Sequence, residues 1–258
     1  MITDITPKDG ERLDEVNESI RLLQKKNGLT FGTDAYLLAA YMYSHCGGTA
    51  VELGGGTGII SLLAASKKRF EKISIVEIQE EYAELIKRNI KINNLCDRLD
   101  VCCKDVRDLK AVDFGNEADA VFSNPPYMKT DSGKRNECDG KYIARHEVFG
   151  GIDDFCACAN RLLKHGGKFY TVWRPDRLAD LVCALRQHHL EVKQLVFVHA
   201  TPQSQPSVVL VQSTKGAAAG NTVFRPLFLH DSAEDAKNNV LSTDAAAIYS
   251  NCSFDEFI

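Results

Sequence analysis

Asn124-Pro125-Pro126-Tyr127 is the most chemically specialised run in the chain. Two consecutive prolines fix φ and remove two backbone donors, leaving carbonyls that face whatever fills the adjoining space. Asn124 adds a side-chain carbonyl as a second acceptor, and Tyr127 a flat face for a planar group. Two acceptors beside a stacking surface suit a conjugated –NH₂ on a base or an amide. They hold its protons and aim its nitrogen lone pair. A Pro-Pro turn can also do no more than cap a strand, so the residues upstream decide.

Upstream lies Glu52-Leu53-Gly54-Gly55-Gly56-Thr57-Gly58. Glycines at alternate positions (Gly54, Gly56, Gly58) let the backbone pass closely beneath a ligand. A dinucleotide site requires Gly-x-Gly-x-x-Gly, and neither register here supplies its third glycine. An acid two residues before the first glycine instead resembles motif I of class I S-adenosylmethionine-dependent methyltransferases. That resemblance implies that Glu52 contacts the amino-acid end of the cofactor. Glu77, about twenty residues beyond the last glycine, is placed to accept from both ribose hydroxyls. Asp105, after the next strand-like run, is placed to accept from the adenine amine. Either acid alone could be a helix cap; three acids after three successive strands point to a cofactor.

The elements that must position these residues alternate. Strands are predicted at Thr49–Leu53, Ile73–Glu77, Leu99–Cys103, Ala118–Ser123 and Lys168–Trp173. Helices are predicted at Gly58–Lys67, at Gln79–Asn94 with a stripe of Tyr82, Leu85, Ile86, Asn89 and Ile90 at helical spacing, and near His146–Lys164. Strands alternating with helices predict an α/β fold, a mostly parallel Rossmann-like sheet covered on both faces. Leu195–His199 and Ser207–Gln212, with no helical pattern between them, predict a closing antiparallel hairpin. Residues 1–45 read as an N-terminal extension over the cofactor site, ending in a helix at Thr33–Tyr43, with Ser19–Lys26 open to strand or helix. Residues 46–216 form the main domain and 217–258 a loosely packed tail, one structural domain overall.

Asn-Pro-Pro-Tyr resembles motif IV of the amino-methyltransferases that act on adenine N6, cytosine N4 or glutamine amide nitrogen. Phe31-Gly32-Thr33-Asp34-Ala35-Tyr36-Leu37-Leu38 is similar to the N-terminal motif that closes over the methionine end of the cofactor, while Thr33-Asp34 would equally cap a helix. With Ala144-Arg145-His146-Glu147 and Gln212-Ser213-Thr214-Lys215-Gly216, the set covers about residues 10–216. Together these motifs are similar to the bacterial tRNA1(Val) (adenine-N6)-methyltransferase family. The resemblance implies the seven-stranded class I sheet and S-adenosylmethionine as cofactor. Asn124, Pro125, Pro126 and Tyr127 would form the catalytic turn. Thr33, Asp34, Glu52, Gly54, Gly56, Gly58, Glu77, Asp105 and Asn124 would line the cofactor. An in-line displacement on a charged leaving group draws much of its rate from orientation, so no general base is demanded.

The stretch from Tyr127 to Glu147 carries five basic and four acidic residues. Lys129, Lys134, Arg135, Arg145 and His146 are its candidates for substrate contact, and Lys164-His165, Arg174 and Arg177 could extend a basic rim. The whole chain has 258 residues, 44% of them hydrophobic and 26% charged, and a formal charge of −4. That is one globular domain without the overall positive charge of an electrostatic nucleic-acid binder. The absence of an 18-residue apolar run and of a signal-like start argues against membrane insertion and secretion. Nine cysteines without zinc spacing fit buried free thiols in a reducing cytoplasm, and no metal is expected. The leading reading is adenine-N6 methylation of tRNA. A glutamine-amide protein methyltransferase, an rRNA base methyltransferase, a small-molecule O-methyltransferase and a non-catalytic cofactor-binding module are the alternatives.

Overall fold

The computed structural model describes residues 6–28, 32–42, 48–125 and 150–258. In chain order it contains β1 (Glu11–Glu15), β2 (Arg21–Lys25), α1 (Thr33–Tyr41), β3 (Thr49–Leu53), α2 (Ile59–Ser66), β4 (Lys72–Val76), α3 (Glu80–Ile92), β5 (Leu99–Cys102) and β6 (Ala118–Ser123). There follow α4 (Ile152–Leu162), β7 (Leu163–Trp173), α5 (Leu178–Gln187), β8 (Leu190–His199) and β9 (Pro206–Lys215). The chain closes with β10 (Thr222–Val223), β11 (Leu227–Phe228), α6 (Ala233–Lys237) and α7 (Thr243–Asn251).

Seven strands run β5-β4-β3-β6-β7-β9-β8, and β10 and β11 add two short strands along β8. β3, β4, β5, β6 and β7 pair in parallel, while β9 is antiparallel to both β7 and β8. This is the expected class I order with its terminal hairpin. α1, α2 and α3 cover one face of the sheet, and α4 and α5 the other, so the central strands are apolar on both sides. Among the described residues no helix is long and apolar enough to cross a membrane.

The structure resolves one open reading and departs from the sequence reading at three places. Ser19–Lys26 resolves as a strand: β1 and β2 form a two-stranded hairpin. It docks on α3 through buried Asn89, whose side chain accepts from Leu23 N (2.7 Å) and donates to Leu23 O (3.1 Å) and Thr57 O (3.0 Å). A helix, α5, stands where none was expected, and β7 begins at Leu163 rather than Lys168. The tail is not loose. Leu227, Ile248, Phe254 and Phe257 are buried against α1 and the sheet, and Ser242 caps α7 while donating to Phe228 O at 2.6 Å. Irregular spacing of those apolar residues hid the packing from a period-based reading. Finally, the cysteines divide: Cys156, Cys158 and Cys252 are buried, but Cys96, Cys103 and Cys183 are exposed free thiols. Burial raises the Cys158 thiol to about 12.

Candidate active site

The register pairs Leu53 with Val76 and Val76 with Cys102, and sets Glu52 beside Phe122. The residues that follow these strand ends therefore line one carboxyl edge. In spatial order they are Asn124, the glycine loop, Glu77 and Asp105. At about 4.8 Å per strand that edge spans roughly 15 Å. This is the switch-point edge where α/β sheets take elongated ligands.

The loop leaves β3 with Gly54 N and Gly55 N both donating to Val76 O at 2.9 Å. Gly56 has φ +56°, and a Cβ there would meet nothing within 4 Å, so the space above it is open. Gly55 was not singled out by the alternating pattern, yet it is the tightest position: a Cβ would lie 2.4 Å from Ile75 Cγ2. β4 and α3 thus press on the loop from below while its upper side stays clear.

Glu52 is 1% exposed. Its Oε2 accepts from Ser61 Oγ on α2, and its Oε1 is buried with no partner among the described residues. Burial, reinforced by the nearby Glu77 carboxylate, pushes the Glu52 carboxyl up to about 8 against the Ser61 hydrogen bonds. Ser61 was missed in the sequence, although as an inward polar residue in an otherwise apolar helix (Ile59–Ala65) it carried a signal. Glu77 Oε2 accepts from Gly56 N at 2.8 Å and its Oε1 from Gln79 N at 2.9 Å. Burial raises its pKa despite those bonds. Each oxygen keeps a lone pair for a hydroxyl donor. Asp105 caps a single 3₁₀ turn (Val106–Asp108) by accepting from Arg107 N, and its carboxylate also pairs with the Arg107 guanidinium. That pair holds its pKa down. The capping role and the cofactor role weighed for Asp105 therefore coexist only if an incoming amine shares those oxygens. Arg161, donating to Leu109 O and Val106 O, fixes this turn against α4.

Asn124 is half-buried and Pro125 buried directly after β6, whose last residue, Ser123, donates to Leu53 O at 2.7 Å. Asn124 Nδ2 donates to Asp34 Oδ2 at 3.1 Å, bringing the first turn of α1 to the same edge. Thr33 is exposed at the start of that helix. Pro126, Tyr127, Lys129, Lys134, Arg135, Arg145 and His146 lie outside the described residues. The supposed basic rim splits. Arg174 and Arg177 follow β7 at the carboxyl edge, each paired with an aspartate (Asp176, Asp180). Lys164 pairs with Asp119 at the opposite end of the sheet, where His165 also lies, and cannot join them. Among the described residues no three His, Cys, Asp or Glu side chains gather as a metal site.

The donor set fits S-adenosylmethionine. A buried acid with an orphaned oxygen suits an ammonium, whose charge would draw it to the ionised form, the open glycine loop suits a close-lying chain, and Glu77 a ribose diol. A parallel sheet in this order with such a site defines a class I methyltransferase. The chain belongs to the methyltransferase small domain family, whose model matches residues 26–196. A tRNA1(Val) (adenine(37)-N6)-methyltransferase of Phocaeicola vulgatus is 33% identical over 184 residues, covering 70% of this chain and 74% of that protein. One from Porphyromonas gingivalis is 26% identical over 185 residues, covering 69% and 72%. In fold the chain is similar to a predicted O-methyltransferase from Agrobacterium tumefaciens. The TM-score is 0.63 at 22% identity, over 81% of this chain and 98% of that one.

Proposed function

We propose that this protein methylates the exocyclic N6 of an adenine in tRNA, with S-adenosylmethionine as methyl donor. The observation that carries the chemistry is Asn124-Pro125 at the end of β6, beside the glycine loop and held by Asp34. Support for the substrate comes from relatives named for adenine 37 of tRNA1(Val), the first of them 33% identical to this chain.

Glu52, the loop at Gly54, Gly56 and Gly58, Glu77 and Asp105 would hold the cofactor, with Thr33 and Asp34 at its methionine end. When bound, it supplies an electrophilic methyl on a positively charged sulfur, which leaves neutral. Asn124 Oδ1 accepts one proton of the amine and the backbone carbonyl of Pro125 the other, fixing the nitrogen lone pair in line. Conjugation makes the exocyclic nitrogen a poor nucleophile, so its geometry has to be set before reaction. Tyr127, two residues on in the sequence, would supply the stacking face for the base. The methylated amine is acidic and sheds its proton to water, so no histidine or carboxylate base is required.

The test is transfer from labelled S-adenosylmethionine into unmodified tRNA, followed by nucleoside mass spectrometry, with Asn124→Ala as control. N6-methyladenosine made by the wild type and lost in the variant supports the assignment. Cofactor binding without incorporation into tRNA would remove the tRNA reading and turn the search to rRNA and protein glutamine.

A further inference from the structure

The Asn124 amide can face its site with either branch, and only one is useful. An amine offers protons, so the oxygen must face it; a flipped amide would set donor against donor. Nothing in Asn124 itself decides between the two. A neighbour that favours one branch is Asp34, 90 residues away, whose Oδ2 lies 3.1 Å from Asn124 Nδ2. A carboxylate accepts and does not donate, so it selects the nitrogen branch and leaves Oδ1 on the opposite branch of the amide.

We propose that Asp34 is a positioning residue for methyl transfer: its carboxylate fixes the Asn124 amide with Oδ1 directed to the substrate amine. This rests on the amine-methylation reading above and adds to it a residue that acts through another. The carboxylate is itself well held. Asp34 Oδ1 accepts from Ala35 N at 2.9 Å, and a carboxylate in the first turn of a helix is favoured by the helix dipole. α1 in turn is clamped by the C-terminal segment, which lies beyond the 26–196 match to the family model. The Tyr36 ring stacks on Tyr249 with centroids 4.7 Å apart and planes at 19°. Tyr36 Oη donates to Tyr249 O at 2.6 Å. A helix pinned at its first turn and packed along its length keeps the Asp34 oxygen where Asn124 needs it.

The experiment compares Asp34→Ala and Asp34→Asn with wild type in three ways. These are kcat and KM for tRNA at saturating cofactor, the Kd for S-adenosylhomocysteine, and the ¹⁵N-labelled side-chain amide signals of Asn124, assigned by their loss in Asn124→Ala. A lost charge-assisted hydrogen bond predicts a kcat fall on the order of ten- to a hundred-fold in Asp34→Ala. Because Asp34 also stands at the methionine end of the cofactor, the Kd should weaken as well, and the kcat fall that persists at saturating cofactor is what marks an interaction realised in the transition state. Asp34→Asn keeps an acceptor oxygen and should retain more kcat than Asp34→Ala. The Asn124 amide signals should move toward free-asparagine positions in Asp34→Ala before any ligand is added. A loss confined to the cofactor Kd, equal loss in both variants, or unmoved Asn124 signals would each overturn the proposal. Should the wild type leave tRNA unmethylated, the substrate reading fails instead, and the spectral arm alone decides the Asp34–Asn124 contact.

Discussion

Glu77 Oε2 accepts the amide proton of Gly56 at 2.8 Å, tying the acid that ends one strand to the loop that follows its neighbour. The carboxylate shapes the glycine turn, and under the proposed function its remaining lone pairs would take a ribose. Glu77→Ala removes both, whereas Glu77→Gln keeps one acceptor for Gly56 but weakens the grip on hydroxyls. Hydrogen bonds to charged groups are worth about 1.5–3 kcal/mol. Calorimetric titration with S-adenosylhomocysteine should accordingly show affinity losses of roughly ten-fold or more for Glu77→Ala and a smaller loss for Glu77→Gln. Equal affinities across the three proteins would remove Glu77 from the cofactor site.

The glycine loop separates fold from ligand. In Gly55→Ala the new methyl would lie 2.4 Å from Ile75 Cγ2 and 3.1 Å from Ile86 Cδ1, side chains in the packed core. Overpacking of that kind costs about 1–3 kcal/mol, so thermal stability falls. Gly56→Ala meets no atom within 4 Å and pays only for φ +56°, about 1 kcal/mol. Its methyl enters the open side of the loop, so cofactor affinity should fall much further than stability. Melting curves and cofactor titrations of the two variants would show opposite orders of damage, and matching orders would contradict the division.

Most of the sheet and its carboxyl edge were legible because buried parallel strands read as short apolar runs and the acids sit at or just after their ends. The Asp34–Asn124 contact was not, since a hydrogen bond across 90 residues leaves no local pattern. Helix α5 was readable and overlooked: Leu178, Leu181, Ala184 and Leu185 keep an i, i+3, i+6, i+7 spacing, with the last three buried. The tail failed for a different reason. α7 is short, and its neighbours Phe254 and Phe257 reach the core from non-helical chain, so periodicity had nothing to register. The capping role of Asp105 needed the structure, because a helix cap and a cofactor ligand call for the same residue type.

Buried Glu52 makes stability depend on pH in an uncommon direction. Its carboxyl holds a proton to about pH 8 in the folded protein and releases it near 4.5 when unfolded. Between those values the folded state binds more protons, so stability falls as pH rises, and the loss is complete above about 8. At about 1.4 kcal/mol per pK unit the span is on the order of a few kcal/mol. Glu52→Gln removes the titration while keeping a similar shape. The Tm of Glu52→Gln minus that of wild type should therefore rise across the window from about pH 5 to pH 8 and then level off. A difference that stays flat with pH would show that Glu52 is ionised in the folded protein.

Arg69, 5% exposed, joins three chain segments that the sequence keeps apart. Its guanidinium donates to Met42 O, to Ala40 O at 3.2 Å and to Cys252 O, so one cation collects the carbonyls at the ends of both α1 and α7. Carbonyl ends of helices carry partial negative charge, which favours a buried arginine there, and the Asp255 carboxylate adds attraction. In Arg69→Met the side chain still fills apolar space but leaves the three carbonyls without this donor, a loss of about 3 kcal/mol or more. Arg69→Lys should recover little, because an ammonium cannot span a fork built for a planar group. The two helix ends share one anchor, so hydrogen exchange in Arg69→Met should rise together at 33–42 and 243–258. Exchange that rises in the tail alone would mean α1 is held by other contacts. Coupled exchange with a reduced kcat would place the C-terminal segment, through α1 and Asp34, among the determinants of how Asn124 is presented.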